Sequence, residues 1–176
     1  TVTLSHLPAL QQHPLVILGA GYTGLRVYQQ ALERGWLVLA TSRRPHIHLG
    51  TIPLEHRLSF DLTQAETWAH IPDPAHLIWC FPATPLTLVQ KFLSVRTRQT
   101  GRLLLMGSTS AYIPDGNPIT EDTPLKTHLP RVQTEEYLRT TYGAMIIRLA
   151  GLYGPGRHVL DWIRKGKIQN TKKWVN

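Results

Sequence analysis

The chain has 176 residues, 42% of them hydrophobic and 17% charged, with a formal net charge of +8. That is long enough and apolar enough for one packed domain without disulfide or metal, and a single cysteine, Cys80, excludes an internal disulfide and suits a reducing compartment. No run approaches the ~20 apolar residues that span a bilayer and no basic-then-apolar segment opens the sequence, so the expectation is a cytoplasmic protein rather than a secreted or membrane-spanning one.

Much of the positive charge sits at one end. Residues 157–176 hold Arg157, Arg164, Lys165, Lys167, Lys172 and Lys173 against Asp161 alone. A basic tail of this kind is usually a solvated face, so nucleic acid is not the expected partner; salt-sensitive DNA binding that vanishes on deleting residues 157–176 would reverse that reading.

Residues 1–13 lack periodicity and read as a leader. Leu15–Leu18 is a short apolar run ending at Gly19, the profile of a strand buried on both faces. Gly24–Arg34 reads as a helix, with Leu25, Tyr28 and Leu32 at helical spacing and Gly35 as its C-terminal stop. Strands follow at Trp36–Thr41 and His56–Phe60. Thr63 and Glu66 have capping-box spacing for a short helix that stops before Pro72. A strand at Ala75–Phe81, a helix at Leu86–Arg98 ended by Gly101, and a strand at Arg102–Met106 come next. A helix at Arg131–Tyr142 ended by Gly143 and a strand at Ala144–Ala150 complete the alternation. Strands alternating with helices predict an α/β fold, a doubly wound and mostly parallel sheet of six or more strands. The expected division is a leader at 1–13, a dinucleotide-binding Rossmann domain at 14–152, and the start of a truncated substrate-binding region at 153–176.

The junction of the first strand and first helix reads GAGYTG, with Gly19, Gly21 and Gly24 at G-x-G-x-x-G spacing and Tyr22 and Thr23 between the last two. Gly19 permits the tight turn. Gly21 lacks a Cβ, so a pyrophosphate can reach the backbone, and Gly24 lets the helix lie close on the sheet. The helix N-terminus presents unpaired N–H groups and a partial positive charge to phosphate. After the second strand, where an NAD site typically carries Asp or Glu, this chain has Thr41, Ser42, Arg43 and Arg44. Two guanidiniums in place of a carboxylate predict NADP over NAD, because arginine binds a 2′-phosphate through paired charge-assisted hydrogen bonds. Asp61 follows the third strand, where it either contacts the adenine or simply ends the strand. His46 and His48 share a strand-like spacing, but no carboxylate or cysteine joins them, and no metal is expected.

Four stretches together resemble the extended and atypical short-chain dehydrogenase/reductase superfamily, specifically its NAD(P)-dependent epimerase/dehydratase-like proteins: VILGAGYTGLRV, the Asp61-Leu62 pair, LLLMGSTSAY and IIRLAGLYGPGR. The resemblance implies that the serine-rich turn after the fifth strand supplies a catalytic hydroxyl. Aligning Ala111-Tyr112 with that turn's usual Val-Tyr assigns it to Ser108, with Thr109 beside it. It also implies backbone contacts to the cofactor from Phe81, Pro82 and Ala83, where the family usually has smaller residues. Cys80, next to them, reads as inert core.

The family's acid/base pair is a Tyr with a Lys four residues later, whose charge lowers the phenol's pKa. This chain lacks the pair. If Glu135 matches the family helix's glutamate, Thr127 takes the Tyr position and Arg131 the Lys position. Arg131 can then hold a nicotinamide ribose or a phosphate but cannot act as a base. Tyr112 is either a substitute acid or a packed loop residue. Two functional readings therefore stay open. One is an oxidoreductase or epimerase/dehydratase-like enzyme acting on a nucleotide-sugar or similar polar substrate; the other is a non-catalytic NADP-binding redox sensor or partner-binding module. A homodimer is the assembly such enzymes often form, although no exposed apolar stripe stands out here.

Overall fold

The strand Leu15–Leu18 (β1) has no face toward water: Val16 and Leu18 pack into one apolar cluster and Leu15 and Ile17 into another, on opposite sides of one sheet. The structure, a computed structural model, describes residues 13–96 and 101–166. Five further strands flank β1: β2 (Val38–Ser42), β3 (Arg57–Ser59), β4 (His76–Trp79), β5 (Leu103–Ser108) and β6 (Met145–Leu149). All pairings are parallel and the order is β3-β2-β1-β4-β5-β6. Val16 lies opposite Leu39 on one side and Leu77 on the other. Burying β1 on both faces removes four large aliphatic side chains from water, each contributing about 1.5–3 kcal/mol.

The helices are α1 (Tyr22–Glu33), α2 (Pro45–His48), α3 (Leu86–Ser94), α4 (Pro130–Tyr142) and α5 (Val159–Arg164). Helix α1 covers one face through Tyr28 and Ala31, which join Leu15, Ile17, Val38 and Ala40. Helices α3 and α4 cover the other through Val89, Phe92, Leu93 and Leu138, which meet Val16, Leu18, Trp79 and Leu105. Gly143 ends α4 in the left-handed region at φ 63°, as its position in the sequence predicts. Strand order reverses between β1 and β4. The crevice above their carboxyl ends is where an open α/β sheet binds ligands.

Several expectations are corrected. The first helix starts at Tyr22, two residues before Gly24, because Gly21 takes the N-cap position. The Thr63–Glu66 capping box does not form. Asp61 Oδ1 accepts both the Thr63 N–H (2.9 Å) and its hydroxyl (2.7 Å), an Asx-type turn that takes the Thr63 N–H Glu66 would accept in a capping box. The segment that follows is a 3-10 stretch, Ala65–His70, capped at Gln64 without a side-chain bond. His46 and His48 lie on the short helix α2, not on a strand. The third helix ends at Ser94, well before Gly101, and residues 97–100 fall outside the described residues. So do residues 1–12 of the expected leader and the basic residues from Lys167 onward. Among the described residues no helix is long and apolar enough to cross a membrane.

Candidate functional site

Thr41, fully buried at the end of β2, fixes the glycine loop. Its hydroxyl accepts the Gly19 N–H at 2.9 Å and its carbonyl accepts the Ala20 N–H at 2.8 Å. Gly19 sits at φ +79°, a left-handed conformation that a side chain would strain. A Cβ on Gly24 would stand 3.0 Å from Ile17 Cγ2 and 3.1 Å from the Gly19 carbonyl, so this glycine holds α1 close to β1. A Cβ on Gly21 would meet nothing within 4 Å. The loop is therefore open at the one glycine expected to face a phosphate, and closed at the one expected to face the sheet. The first N–H groups of α1 have no intrahelical acceptor, which leaves Tyr22 and Thr23 able to donate to an oxyanion.

A cleft of about 690 Å3 runs over the carboxyl ends of β1–β4. Gly19, Gly21, Tyr22, Arg43, Asp61, Leu62 and Phe81 are among the residues that line it. The Thr63 N–H and hydroxyl hold the Asp61 carboxyl below the usual carboxylate range, and the Arg43 charge pulls in the same direction despite partial desolvation. Asp61 is thus an ionised acceptor at neutral pH. Residues that sequence reasoning passed over also line the cleft. Ser42 and His48 do so as a pair, joined by a 2.9 Å contact between Ser42 Oγ and His48 Nδ1. Arg44 does not line the cleft; it caps α2, and its N–H donates to Ser42 Oγ at 3.1 Å.

A second, smaller cavity of about 280 Å3 adjoins the cleft across Cys80 and Phe81, which line both. Thr23, Pro82, Ser108 and Arg131 line it, and so does Arg157, which sequence reasoning did not select. Ser108 Oγ accepts the Ser110 N–H at 3.2 Å and lies 3.0 Å from Ser110 Oγ. Thr109 begins the 3-10 turn that follows and does not line the cavity, and neither does Ala83, which is buried in the core. Tyr112 is also set apart: only 8% exposed, with the Arg148 guanidinium 5.3 Å from its ring centre. Thr127 is exposed and outside the cavity. Cys80 is half-buried, and burial pushes its thiol up to about 12, so it stays protonated at neutral pH. Among the described residues no cluster of three metal-ligating side chains occurs.

The sheet order, the glycine turn and the crevice at the strand reversal define a Rossmann-type α/β protein. Within that class, solved structures with the same fold include an NAD-dependent epimerase/dehydratase and a protein of the short-chain dehydrogenase/reductase superfamily. The chain is 25% identical to a Methylobacillus flagellatus protein assigned to the NAD-dependent epimerase/dehydratases, over 92% of this chain and 61% of that one, with a TM-score of 0.67. It has the fold of an Agrobacterium tumefaciens short-chain dehydrogenase/reductase superfamily protein with bound NAD (22% identity, 78% of this chain and 49% of that one, TM-score 0.62). It also has the fold of a UDP-galactose 4-epimerase (19% identity, 88% and 62%, TM-score 0.64). The chain spans about half to two thirds of the length of these structures. No family model matches the sequence, and no curated protein matches it.

Proposed function

We propose that this chain carries the cofactor site of an NAD(P)-dependent oxidoreductase or epimerase/dehydratase-like enzyme, with NADP as the preferred cofactor and a nucleotide-sugar or similar polar molecule as substrate. The observation that carries the reading is the cleft that joins the open Gly21 backbone to Arg43 across a glycine turn. The residues fit a dinucleotide. Gly19, Gly21, Tyr22 and Thr23 would hold the pyrophosphate, Arg43 with Ser42 and His48 a 2′-phosphate, and Asp61 with Leu62 the adenine. Phe81, Pro82 and Arg131 would hold the nicotinamide half. The cofactor, when bound, supplies hydride chemistry. The chain's own contribution is to bind and orient it, to bring Ser108 Oγ to the same cavity as a hydrogen-bond donor, and to keep the Cys80 thiol neutral beside it. The relatives' NAD supports a nicotinamide dinucleotide in general; the preference for NADP rests on Arg43.

A second reading, a non-catalytic NADP-binding sensor or partner-binding module, is favoured by one observation: neither Tyr112 nor Thr127 lines the Ser108 cavity, so among the described residues no phenol lines it with Arg131. Fluorescence titration with NADPH and NADH tests the proposal. We expect tighter binding of NADPH and a reversed preference in Arg43→Asp; equal binding of both cofactors, unchanged by that substitution, refutes the NADP assignment. Hydride exchange with sugar nucleotides then separates the enzyme from the sensor.

A further inference from the structure

We propose that Arg131 and Arg157, together with Ser108, form a second oxyanion-binding subsite in the 280 Å3 cavity, separate from the Arg43 end of the cleft. The residues that line this cavity include two guanidiniums and no carboxylate. It is smaller than the ~300–1,000 Å3 of a whole-ligand pocket, so it suits one charged group rather than an entire substrate.

Arg131 is only partly neutralised, because its carboxylate partner is shared. Arg131 Nε donates to Glu135 Oε1 at 3.1 Å, but Glu135 is only 3% exposed and also pairs with Arg148 at 3.3 Å. The neighbouring Glu136 is divided between Arg148 and Arg139. Three guanidiniums thus share two carboxylates, and the Arg131 Nη2 nitrogen is buried without a hydrogen-bond partner. A buried donor of a charged group is costly unless something accepts from it.

Arg157 has no carboxylate partner among the described residues; its guanidinium lies 5.0 Å from the Tyr22 ring centre and 5.7 Å from that of Trp162. Its position is built. Gly154 and Arg157 exchange backbone hydrogen bonds of 3.1 and 2.8 Å, Arg26 Nη2 donates to the Pro155 carbonyl at 3.3 Å, and a Cβ on Gly154 would stand 2.7 Å from Tyr22 Oη. The turn after β6 is thereby fastened to the first turn of α1, which brings the Arg157 guanidinium to the cavity that Thr23 also lines. Two guanidiniums that local carboxylates only partly neutralise, lining one cavity with a serine hydroxyl, suit phosphate or carboxylate.

Two sources share that chemistry: the cofactor's pyrophosphate, and a phosphate or carboxylate on the substrate. The subsite depends on the dinucleotide reading for the identity of its ligand but not for its existence. The test is calorimetric titration of the full chain with inorganic phosphate at low ionic strength. Saturable binding is expected in the wild type, weakened about tenfold or more in Arg157→Gln but less than about twofold in Arg43→Gln. Arg131→Gln is expected to weaken it too, but Arg157→Gln is decisive because Arg157 has no ion pair among the described residues to lose. Binding that is absent, or equal in wild type and Arg157→Gln, overturns the proposal. Repeating the titration with saturating NADPH identifies the source: displacement of the Arg157-dependent phosphate assigns it to the cofactor's pyrophosphate, and retention assigns it to the substrate. Arg157-dependent phosphate binding by a protein that fails to bind NADPH sinks the dinucleotide reading and leaves the subsite standing. NADPH binding without phosphate binding does the reverse.

Discussion

The Phe81 ring lies so close over Gly19 that a Cβ on residue 19 would stand 2.7 Å from Phe81 Cδ1. The contact ties the end of β4 to the end of β1 across the strand reversal, and Phe81 lines both the large cleft and the small cavity. It also makes Gly19 a packing requirement as well as a conformational one.

Gly19 and Gly21 should therefore respond differently to the same change. Gly19→Ala combines a left-handed φ, which costs about 1–2 kcal/mol in an L-residue, with a clash against Phe81, so it should lower stability by about 2 kcal/mol or more. Truncating Phe81 in the same chain should recover part of that loss. Gly21→Ala should change stability by less than about 1 kcal/mol, since its φ is −84° and nothing lies within 4 Å, yet weaken NADPH binding about tenfold or more. Urea melts paired with cofactor titrations distinguish the two.

His48 should matter for one cofactor only. Its ring is held by Ser42 Oγ at 2.9 Å on the Arg43 side of the cleft. His48→Ala is expected to weaken NADPH binding by about tenfold to a hundredfold, the loss of one hydrogen bond to a charged group, and to leave NADH binding unchanged. Equal losses for both cofactors would remove His48 from the 2′-phosphate site.

Cys80 should be unreactive in the native protein. Desolvation lifts its thiol from an ordinary 9.0 to about 12. The sign follows: burial of the neutral thiol stabilises the fold fully below pH 9, and this contribution is lost as pH rises from 9 toward 12. Alkylation by iodoacetamide at pH 8 should be slow in the folded protein and fast in urea. Rapid modification of the native chain would mean that the thiol is not desolvated.

Stability should rest on the aromatic cluster beneath α3. Phe92 is fully buried, with the rings of Phe60, Trp68 and Trp79 within 6 Å. Phe92→Ala should cost about 3–5 kcal/mol, whereas Leu37→Ala, at a residue 59% exposed, should cost about 0.5 kcal/mol or less. Denaturant midpoints measure both.

What the sequence made legible is what local pattern dictates. Leu15–Leu18 is apolar at every position because it is covered on both faces, and that run marked β1 to the residue. Gly143 marked the end of α4 because only glycine enters the left-handed region freely. Where two local signals competed, the reading failed: Thr63 carries a capping pattern, but Asp61 two residues earlier captures its donors. His46 and His48 looked strand-like because i, i+2 spacing on so short a segment does not separate strand from helix. Thr41 gave no signal as the loop's anchor, since its partner Gly19 is 22 residues away. Arg157 stood out only as one of a basic stretch, because its place in the small cavity comes from a turn that long-range packing sets.

The most direct measurement is a crystal structure of the full chain grown with NADP. The account predicts a dinucleotide lying along the cleft, its pyrophosphate on the Gly21–Thr23 backbone, its 2′-phosphate on Arg43 and its nicotinamide beyond Phe81 toward Ser108. A dinucleotide bound elsewhere, or a cleft closed by Phe81 and Tyr22 with no nucleotide at saturating concentration, would contradict it.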